Sequence, residues 1–211
     1  MNKYWLILLL LLILLVVEIT WVGIREPGFS LKNLFYNNLI KHKHYNFEYP
    51  LNKESCYENL KIIHDVFVKH NIFFWLSEGT ALGFTRDNDF ISWDDDLDIG
   101  IYFKDKDKFL NCIEDLKKSG FRLGIIINNN FYSFIRGGER IDIELIGNNL
   151  KCISCSKSNW DLEPCEKILP FLKFKKINIR GKVYNIPKEE YLEALYGKDW
   201  MIPKKKSKVI V

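Results

Sequence analysis

The chain has 211 residues, of which 47% are hydrophobic and 27% charged, and a formal net charge of +4. This length and hydrophobic content allow one domain with a hydrophobic core. The net charge is modest and no stripe of basic and aromatic residues is present, which argues against a nucleic-acid-binding protein.

An apolar segment opens the chain. Residues 5–17 form an unbroken apolar run, which Glu18 interrupts and residues 19–24 continue. The total length is close to the ~20 residues that a helix needs to span a bilayer. No small-x-small cleavage site follows, so an uncleaved signal anchor is favoured over a cleaved signal peptide. We therefore predict a transmembrane segment within residues 1–24, with residues 4–24 in the membrane.

A stem and a first helix are predicted next. Residues 25–54 contain Pro, Gly, His and Asn without a sustained period, and we interpret them as a linker. Apolar residues then recur at helical spacing, which predicts an amphipathic helix over residues 55–70. Ser55 and Glu58 at its start have the spacing of a capping box.

Two apolar strands and the segment between them are the central feature of the sequence. A strand is predicted over residues 72–76, followed by a turn at Gly79 and a short helix over 80–85. A polar loop leads to a second apolar strand over 97–102. Four aspartates stand where this second strand begins.

These aspartates are Asp94, Asp95, Asp96 and Asp98. Side chains alternate along a strand, which places Asp94, Asp96 and Asp98 on one face. Asp95 is expected to point away. Clustered carboxylates repel one another and burial raises that cost, so three on one face favour a divalent cation such as Mg²⁺ or Mn²⁺. A solvated acidic turn is the alternative, whereas a helix-loop-helix calcium site lacks its required glycine and glutamate.

Helices and strands continue to alternate after the acidic strand. Residues 140–146 alternate polar and apolar side chains, which places Asp142 and Glu144 on one face of a half-buried strand. The other predicted elements are a helix capped by Asp105 and ended by Gly120, strands over 121–127 and 131–136, a hairpin at Gly137-Gly138, and a helix over 187–196 closed by Gly197.

The order of these features is the layout of the nucleotidyltransferase fold. In that layout a Gly-Thr turn precedes a D-x-D on a strand, and a single acid on a later strand completes a metal site for nucleotide phosphates. Gly79-Thr80, Asp96-x-Asp98 and Asp142 stand in these places. We therefore predict an α+β fold with a nucleotidyltransferase-like mixed sheet and flanking helices, preceded by an N-terminal transmembrane helix.

The motifs also resemble those of the LicD family, which includes bacterial phosphocholine transferases, fukutin and fukutin-related protein. Glu78–Arg86 resembles its G-T-x-L-G-x-x-R block, and Phe90–Ile99 resembles its W-D-x-D-x-D block. Tyr196–Pro203 resembles its closing Y-G-x-x-W-x-x-P block. The resemblance delimits a LicD-like catalytic domain over residues 55–203, followed by a basic tail over 204–211.

The resemblance implies a metal-dependent transferase. It would move a phospho-alcohol, of the ribitol phosphate or phosphocholine type, from a CDP-activated donor to a hydroxyl of a glycan or glycoconjugate. Asp96, Asp98 and Asp142, the last matching the family's third acid, would hold Mg²⁺ or Mn²⁺. Asp94 would take the acceptor's proton, with Asp142 as the alternative base. Similarity to the fukutins implies a single-pass, type II membrane protein with a lumenal (Golgi/ER-like) or extracytoplasmic catalytic domain.

Three further residues are candidates for binding the donor. Gly79 and Thr80 are predicted to let backbone N–H groups approach its phosphates at a helix start, and an ordinary tight turn at Gly79 is the alternative. Arg86 is placed to pair with a phosphate bidentately. The alternative for Arg86 is a surface ion pair with Asp87 or Asp89.

Three cysteines, Cys152, Cys155 and Cys165, lie in a loop-like stretch. In a lumenal domain a disulfide is the favoured use of these thiols, ahead of free thiols. A zinc site at Cys152, Cys155 and Cys165 is the third interpretation, because a second close pair or two histidines of a usual structural site are missing.

Two other functions remain as alternatives. A true nucleotidyltransferase, acting on a sugar phosphate or a protein, would use the same acids and release pyrophosphate from a triphosphate. An inactive membrane-tethered binding module would need none of them. The presence of Asp94, Asp96, Asp98 and Asp142 argues against the inactive module.

Overall fold

The computed structural model of the chain describes residues 51–153 and 163–204. The predicted anchor, most of the predicted stem, Cys155 and the tail beyond Lys204 lie outside these residues. Within the two described ranges, no helix has the length and apolar character needed to cross a membrane.

Helices and strands alternate along the described ranges. The α-helices there are α1 (Lys53–Lys69), α2 (Glu78–Arg86), α3 (Lys106–Lys118) and α4 (Glu189–Tyr196). Short 3-10 helices lie at Phe103–Asp105, Cys165–Lys167 and Leu169–Phe171. The strands are β1 (Phe74–Leu76), β2 (Asp96–Tyr102), β3 (Arg122–Ile127), β4 (Phe131–Arg136), β5 (Glu139–Ile146), β6 (Lys151–Cys152), β7 (Glu163–Pro164), β8 (Phe174–Ile179) and β9 (Lys182–Pro187).

Seven of these strands form one mixed sheet in the order β3-β4-β5-β2-β1-β9-β8. β2 runs parallel to β5, and β1 runs parallel to β9. The remaining neighbours in the sheet are antiparallel, and β6 and β7 form a separate pair. A mixed sheet with helices packed on it confirms the predicted α+β class.

Helices α1 and α3 bury their apolar sides against one face of the sheet. Phe67 of α1 packs edge-to-face on Phe74 of β1 at 5.3 Å and on Phe109 of α3 at 6.2 Å. Phe109 in turn lies 6.4 Å from Phe134 of β4. Burying each such ring contributes roughly 1.5–3 kcal/mol. Strand β2 presents its apolar residues to the same core, and these are Leu97, Ile99 and Ile101.

The alternate residues of β2 project from the opposite face of the sheet. Asp96 and Asp98 lie there, followed by Gly100. A Cβ at Gly100 would come within 2.2 Å of the Trp75 ring, so only a glycine leaves room for this buried indole. Trp75 is thus a core residue, and its ring closes the acidic face on the side away from the strand's start.

Helix α1 begins earlier than predicted, at Lys53. Its N-cap is Asn52, whose side chain accepts a hydrogen bond from the Ser55 N–H at 3.1 Å. The predicted capping box of Ser55 and Glu58 is therefore wrong. Glu58 instead forms an ion pair with Arg136 of β4 at 2.7 Å. An asparagine serves as well as a serine at an N-cap, and it stood three residues upstream.

The hairpin of β8 and β9 was not predicted. Its turn places Arg180 (φ 49°) and Gly181 (φ 84°) in the left-handed region, as a two-residue type I′ turn requires. Arginine is an unusual first residue for that turn. The Asn178 side chain accepts a hydrogen bond from the Gly181 N–H at 2.9 Å and stabilises the connection.

Candidate metal centre

The parallel pairing of β2 with β5 brings the predicted acids together. In this register Asp96 lies beside Arg140, and Asp98 lies beside Asp142. Carboxylate oxygens of Asp96, Asp98 and Asp142 all lie within 4.8 Å of one another. Acids separated by more than forty residues in the chain therefore converge on one end of the sheet.

The segment before β2 carries two more carboxylates. Strand β2 begins at Asp96, so strand alternation does not govern Asp94 and Asp95. Oxygens of Asp94, Asp95 and Asp96 also lie within 4.8 Å of one another, and Asp95 Oδ1 is 3.7 Å from Arg140 Nη2. The prediction that Asp95 points away from the cluster is wrong for this reason.

The start of helix α2 fixes Asp98 in place. The Gly79 N–H donates to Asp98 Oδ2 at 3.0 Å, and the Asp98 N–H donates to Thr80 Oγ1 at 2.8 Å. The Ser77 N–H donates to the Asp98 carbonyl at 2.9 Å. The sequence predicted that the Gly79–Thr80 turn would face donor phosphates, whereas in this structure it holds a carboxylate.

Thr80 gives a direct test of this arrangement. Thr80 is only 2% exposed, and its hydroxyl accepts the hydrogen bond of the Asp98 N–H. The isosteric change Thr80→Val removes this acceptor. Loss of a buried partner is expected to lower the free energy of unfolding by about 1–3 kcal/mol. Denaturant unfolding of the variant measures this change.

Thr85 on the same helix is the matched control. Its Oγ1 is buried and has no hydrogen-bond partner among the described residues. Thr85→Val is therefore expected to leave the free energy of unfolding unchanged or to raise it. Equal losses in the two variants would show that the bond to Asp98 contributes nothing specific.

Burial and mutual repulsion perturb the two central carboxylates. The pKa of Asp98 is raised well above its usual value, first by desolvation and then by the charges of Asp96 and Glu78. Burial also raises the pKa of Asp142, and the Arg140 guanidinium offsets part of this rise. Both acids therefore ionise less readily than free carboxylates unless a positive charge joins them.

The cluster has the chemistry of a hard divalent-cation site. It offers several carboxylate oxygens, which are the ligands that Mg²⁺ and Mn²⁺ prefer. Asp142 Oδ1 is buried and accepts no hydrogen bond within the described part of the chain. A buried carboxylate oxygen without a donor is costly, and a cation bound there would remove that cost. These residues fit Mg²⁺ or Mn²⁺.

Arg140 lies among the acids, and sequence reasoning did not include it in the metal site. Its Nη2 donates to Asp96 Oδ2, and its Nε lies 3.6 Å from Asp142 Oδ2. Its side chain is 17% exposed. The alternation of Arg140 and Asp142 along one strand could have signalled it, because both side chains then share a face.

Arg86 forms an ion pair with Asp87, the alternative to its predicted phosphate contact, and its side chain is only 5% exposed. Its Nε and Nη2 donate to the two carboxylate oxygens of Asp87 at 2.9 and 2.7 Å. The guanidinium also lies 6.0 Å from the centre of the Trp93 ring. Asp89 is held elsewhere, by Lys53 at 2.6 Å and Tyr57 at 2.7 Å.

Helix α4 brings Tyr191 and Tyr196 near the start of α2, and neither residue was predicted to lie at the site. The hydroxyls of Tyr191 and Ser77 form a buried hydrogen bond of 2.8 Å at the start of α2. Tyr196 is 39% exposed, and its pKa is raised by partial desolvation and then by the charges of Glu78 and Asp98, which lie near it. Tyr196 opens the Y-G-x-x-W-x-x-P block, which was the available signal.

Two of the three cysteines in the predicted cysteine-rich stretch lie in the described ranges. Cys152 is disulfide-bonded, and Cys165 is a buried free thiol. Burial raises the pKa of Cys165 to about 11. A protonated thiol is a poor ligand for zinc, which binds the thiolate.

Residues 71–139 match a family model described as LicD/FKTN/FKRP, nucleotidyltransferase domain. The match covers about a third of the chain, and Asp142 lies just beyond its end. Two curated relatives are uncharacterised proteins of Rickettsia. RT0683 of Rickettsia typhi is 37% identical over 89 residues, 42% of this chain and 28% of the relative. RP689 of Rickettsia prowazekii is 36% identical over 67 residues, 32% of this chain and 25% of the relative.

Two solved structures match the chain at low identity. The antibiotic-resistance factor ANT(2″)-Ia has a TM-score of 0.46 and 16% identity, covering 68% of this chain and 69% of its own. The lincosamide antibiotic adenylyltransferase LnuA, bound to lincomycin, has a TM-score of 0.44 and 16% identity, covering 63% and 80%. The family model is the informative comparison, and it confirms over residues 71–139 the resemblance to the LicD family that the sequence motifs carry.

Proposed function

We propose that this chain is a metal-dependent transferase that moves a phospho-alcohol from a CDP-activated donor to a glycan hydroxyl. Similarity to the LicD family suggests a transferase with a phosphotransferase-type role. The observation that carries the proposal is the convergence of Asp96, Asp98 and Asp142, whose oxygens lie within 4.8 Å of one another. The transferred group and the acceptor class come from the family resemblance.

The three carboxylates have the role of binding Mg²⁺ or Mn²⁺ in this proposal. A divalent cation there would neutralise charge on the donor pyrophosphate and align the attacking and leaving oxygens. The Gly79 N–H and the Thr80 hydroxyl keep Asp98 oriented through its carboxylate and its backbone. Because the chain supplies this orientation before substrate binds, Asp98 needs no rearrangement during the reaction.

Asp94 is the proposed general base. A Cβ at Gly79 would lie 2.2 Å from Asp94 Oδ2 and 3.2 Å from Asp98 Oδ2, so both carboxylates border the same small space above Gly79. Asp94 is only partly buried and can exchange its proton with solvent. Asp142, the alternative base, is 7% exposed and lies inside the cluster. This position favours Asp94 for the proton and Asp142 for the cation.

Gly79→Ala tests the position of Asp94. The added methyl group displaces a side-chain carboxylate and no backbone atom, so the chain is expected to fold. Turnover is expected to fall by roughly 10²–10⁴-fold, as for loss of a general base. Steady-state kinetics and thermal unfolding of the purified variant measure both quantities.

Gly83→Ala on the same helix provides the contrast. A Cβ there would meet the backbone carbonyl oxygen of Asp89 at 2.5 Å, so this variant is expected to lose stability. Full turnover in a folded Gly79→Ala variant would contradict the proposed place of Asp94.

The proposal keeps an anchor over residues 4–24 and a lumenal or extracytoplasmic catalytic domain. The apolar run supports the anchor, and similarity to the fukutins supports the side of the membrane on which the catalytic domain lies. Protease treatment of sealed microsomal vesicles tests it, because a lumenal catalytic domain would resist digestion until detergent is added, whereas a cytoplasmic one would be digested without it.

A donor panel tests the reaction itself. The full chain is incubated with Mg²⁺ or Mn²⁺ and with CDP-alcohols or nucleoside triphosphates, and released nucleotide and pyrophosphate are measured with Asp98→Asn as the blank. Release of CMP from one CDP-alcohol, lost in the blank, supports the proposal and names the donor. Pyrophosphate release from a triphosphate would instead establish a nucleotidyltransferase. Metal-dependent nucleotide binding without turnover would point to a missing acceptor, and its absence to an inactive module.

A further inference from the structure

The acidic cluster contains two overlapping groups of carboxylates that share Asp96. Asp96, Asp98 and Asp142 form the inner group, and Asp94, Asp95 and Asp96 form the outer group. Oxygens within each group lie within 4.8 Å of one another. Carboxylates alone would therefore allow two cations, with Asp96 bridging them.

Arg140 occupies the junction between the two groups. Its Nη2 donates to Asp96 Oδ2 and lies 3.7 Å from Asp95 Oδ1. Its Nε lies 3.6 Å from Asp142 Oδ2. One guanidinium thus contacts a carboxylate of the inner group, one of the outer group and the carboxylate that both share.

A bridging carboxylate uses one oxygen for each metal ion. Asp96 Oδ2 is engaged by the guanidinium, so this oxygen cannot at the same time bind a cation. Arg140 lies 3.7 Å from Asp95 and 3.6 Å from Asp142, so a second cation would join one cation and one guanidinium in a partly buried cluster, which is unfavourable. Both groups border the arginine, but the inner group also contains Asp142 Oδ1, which is buried and accepts no hydrogen bond from the described residues.

The position of Arg140 is set by the sheet itself. Arg140 stands beside Asp96 in the β2–β5 register, and its side chain is only 17% exposed. A neutral side chain of similar length would leave the register intact and remove the charge. The arginine is therefore a separable component of the cluster.

We propose that Arg140 restricts the acidic cluster to one divalent cation, by occupying the Asp96 oxygen and the space that a second cation in the outer group would need. The inference rests on the proposed metal centre, and it adds the number of divalent cations that the protein binds in the absence of substrate. Arg140 is in this view a positioning residue that decides stoichiometry and acts also as the counter-ion of the outer acids before any substrate binds.

Counting bound Mn²⁺ tests the proposal without any substrate. Free Mn²⁺ is measured by electron paramagnetic resonance during titration of the full chain. Wild type is expected to bind one ion per chain, and Arg140→Met two. The first ion is expected to bind Arg140→Met about tenfold or more tightly than wild type, because a nearby positive charge has gone.

Two further variants keep the result interpretable. Arg140→Lys retains the positive charge and therefore folds if the charge is what folding requires. A single ammonium cannot contact Asp96 and Asp142 together. This variant is therefore expected to bind a second Mn²⁺ ion more weakly than the first. Arg136→Met removes a comparable guanidinium that pairs with Glu58 and Asn59, away from the acids. It is expected to keep one ion per chain.

The outcomes separate the two proposals. Two ions in wild type, or one ion in both Arg140→Met and Arg140→Lys, would overturn the role of Arg140 and leave the metal centre standing. If Arg140→Met does not fold, the wild-type and Arg140→Lys counts decide in the same way. No ion in any folded variant would overturn the metal centre and this inference with it.

Discussion

Asp98→Asn is expected to reduce turnover of the full chain to the background rate. The substitution removes a ligand charge from the inner group while its amide keeps the shape of the carboxylate. Asp98 lies within 4.8 Å of both other carboxylates of that group, and its backbone joins α2 to β2 through Thr80 and Ser77. Without its charge the cation would bind weakly and the donor pyrophosphate would keep its negative charge.

The loss of turnover in Asp98→Asn is expected to exceed the loss in Asp94→Asn. Removal of a general base costs roughly 10²–10⁴-fold, because water can still accept the proton. Removal of a metal ligand affects both the affinity of the cation and the placement of the substrate. Kinetics of the two variants under the same metal concentrations compare the losses, and Mn²⁺ titration is expected to show that Asp98→Asn loses the ion while Asp94→Asn keeps it.

Stability distinguishes this effect from misfolding. Asp98 has a raised pKa because burial and neighbouring carboxylates oppose its charge, so a neutral amide there is expected to stabilise the metal-free chain at neutral pH. Asp107→Asn, an exposed acid on α3, is the matched control for both turnover and stability. Normal turnover in a folded Asp98→Asn variant would exclude Asp98 as a metal ligand.

The metal-free chain is expected to lose stability as the pH rises through the neutral range. Asp142, at 7% exposure, has its pKa raised from its usual value to about 7, first by desolvation. A raised pKa in the folded state means that the folded chain binds more protons than the unfolded chain between the two pKa values. The stabilising contribution is therefore complete below about pH 4 and is lost as the pH rises past about 7, by an amount on the order of a few kcal/mol.

A bound cation is expected to reverse this dependence. Mn²⁺ competes with protons for the same oxygens, so it binds better at high pH and stabilises the fold most where the metal-free chain is weakest. At a concentration one hundred times the dissociation constant, the gain is about 2.7 kcal/mol. Thermal unfolding from about pH 5 to about pH 8, with chelator or with Mn²⁺, measures both curves.

The variant Asp142→Asn isolates the contribution of the cluster. Other groups titrate in the same range, and their contribution is common to wild type and variant. The difference in stability between wild type and Asp142→Asn at each pH therefore measures the contribution of Asp142 and of the charges that interact with it. A wild-type curve that rises from pH 5 to pH 8 relative to Asp142→Asn would contradict the assigned direction.

Local sequence patterns predicted the elements that place the acids. Strand β4 was predicted at its observed bounds, and β2 and β5 within one residue at each end. These strands have strong alternation or an unbroken apolar run, and their periodicity survives in any tertiary context. Asp142 was assigned to the cluster only because the order of motifs matched a known layout, since no local pattern states which strands are neighbours.

Features that depend on tertiary contacts or on the exact ends of the strands were not predicted. The contact of Arg140 with Asp96 follows from the β2–β5 register, which no single segment encodes. The predicted orientation of Asp95 is wrong because β2 begins only at Asp96. The ends of a strand are the part that a sequence pattern predicts least well. The β8–β9 hairpin escaped because an arginine stands at a left-handed position that usually takes Asn, Asp or Gly.

The register of β2 against β5 has a consequence for how the chain folds. The contact that it creates between Arg140 and Asp96 spans 44 residues, and the same register sets two acids, Asp98 and Asp142, side by side. Closing a long loop is slow, and like charges at its closure point raise the barrier further. We expect stopped-flow refolding of the metal-free chain to accelerate at mildly acid pH or when Mn²⁺ is present from the start. An ion added only after refolding would slow unfolding and leave the refolding rate as it was.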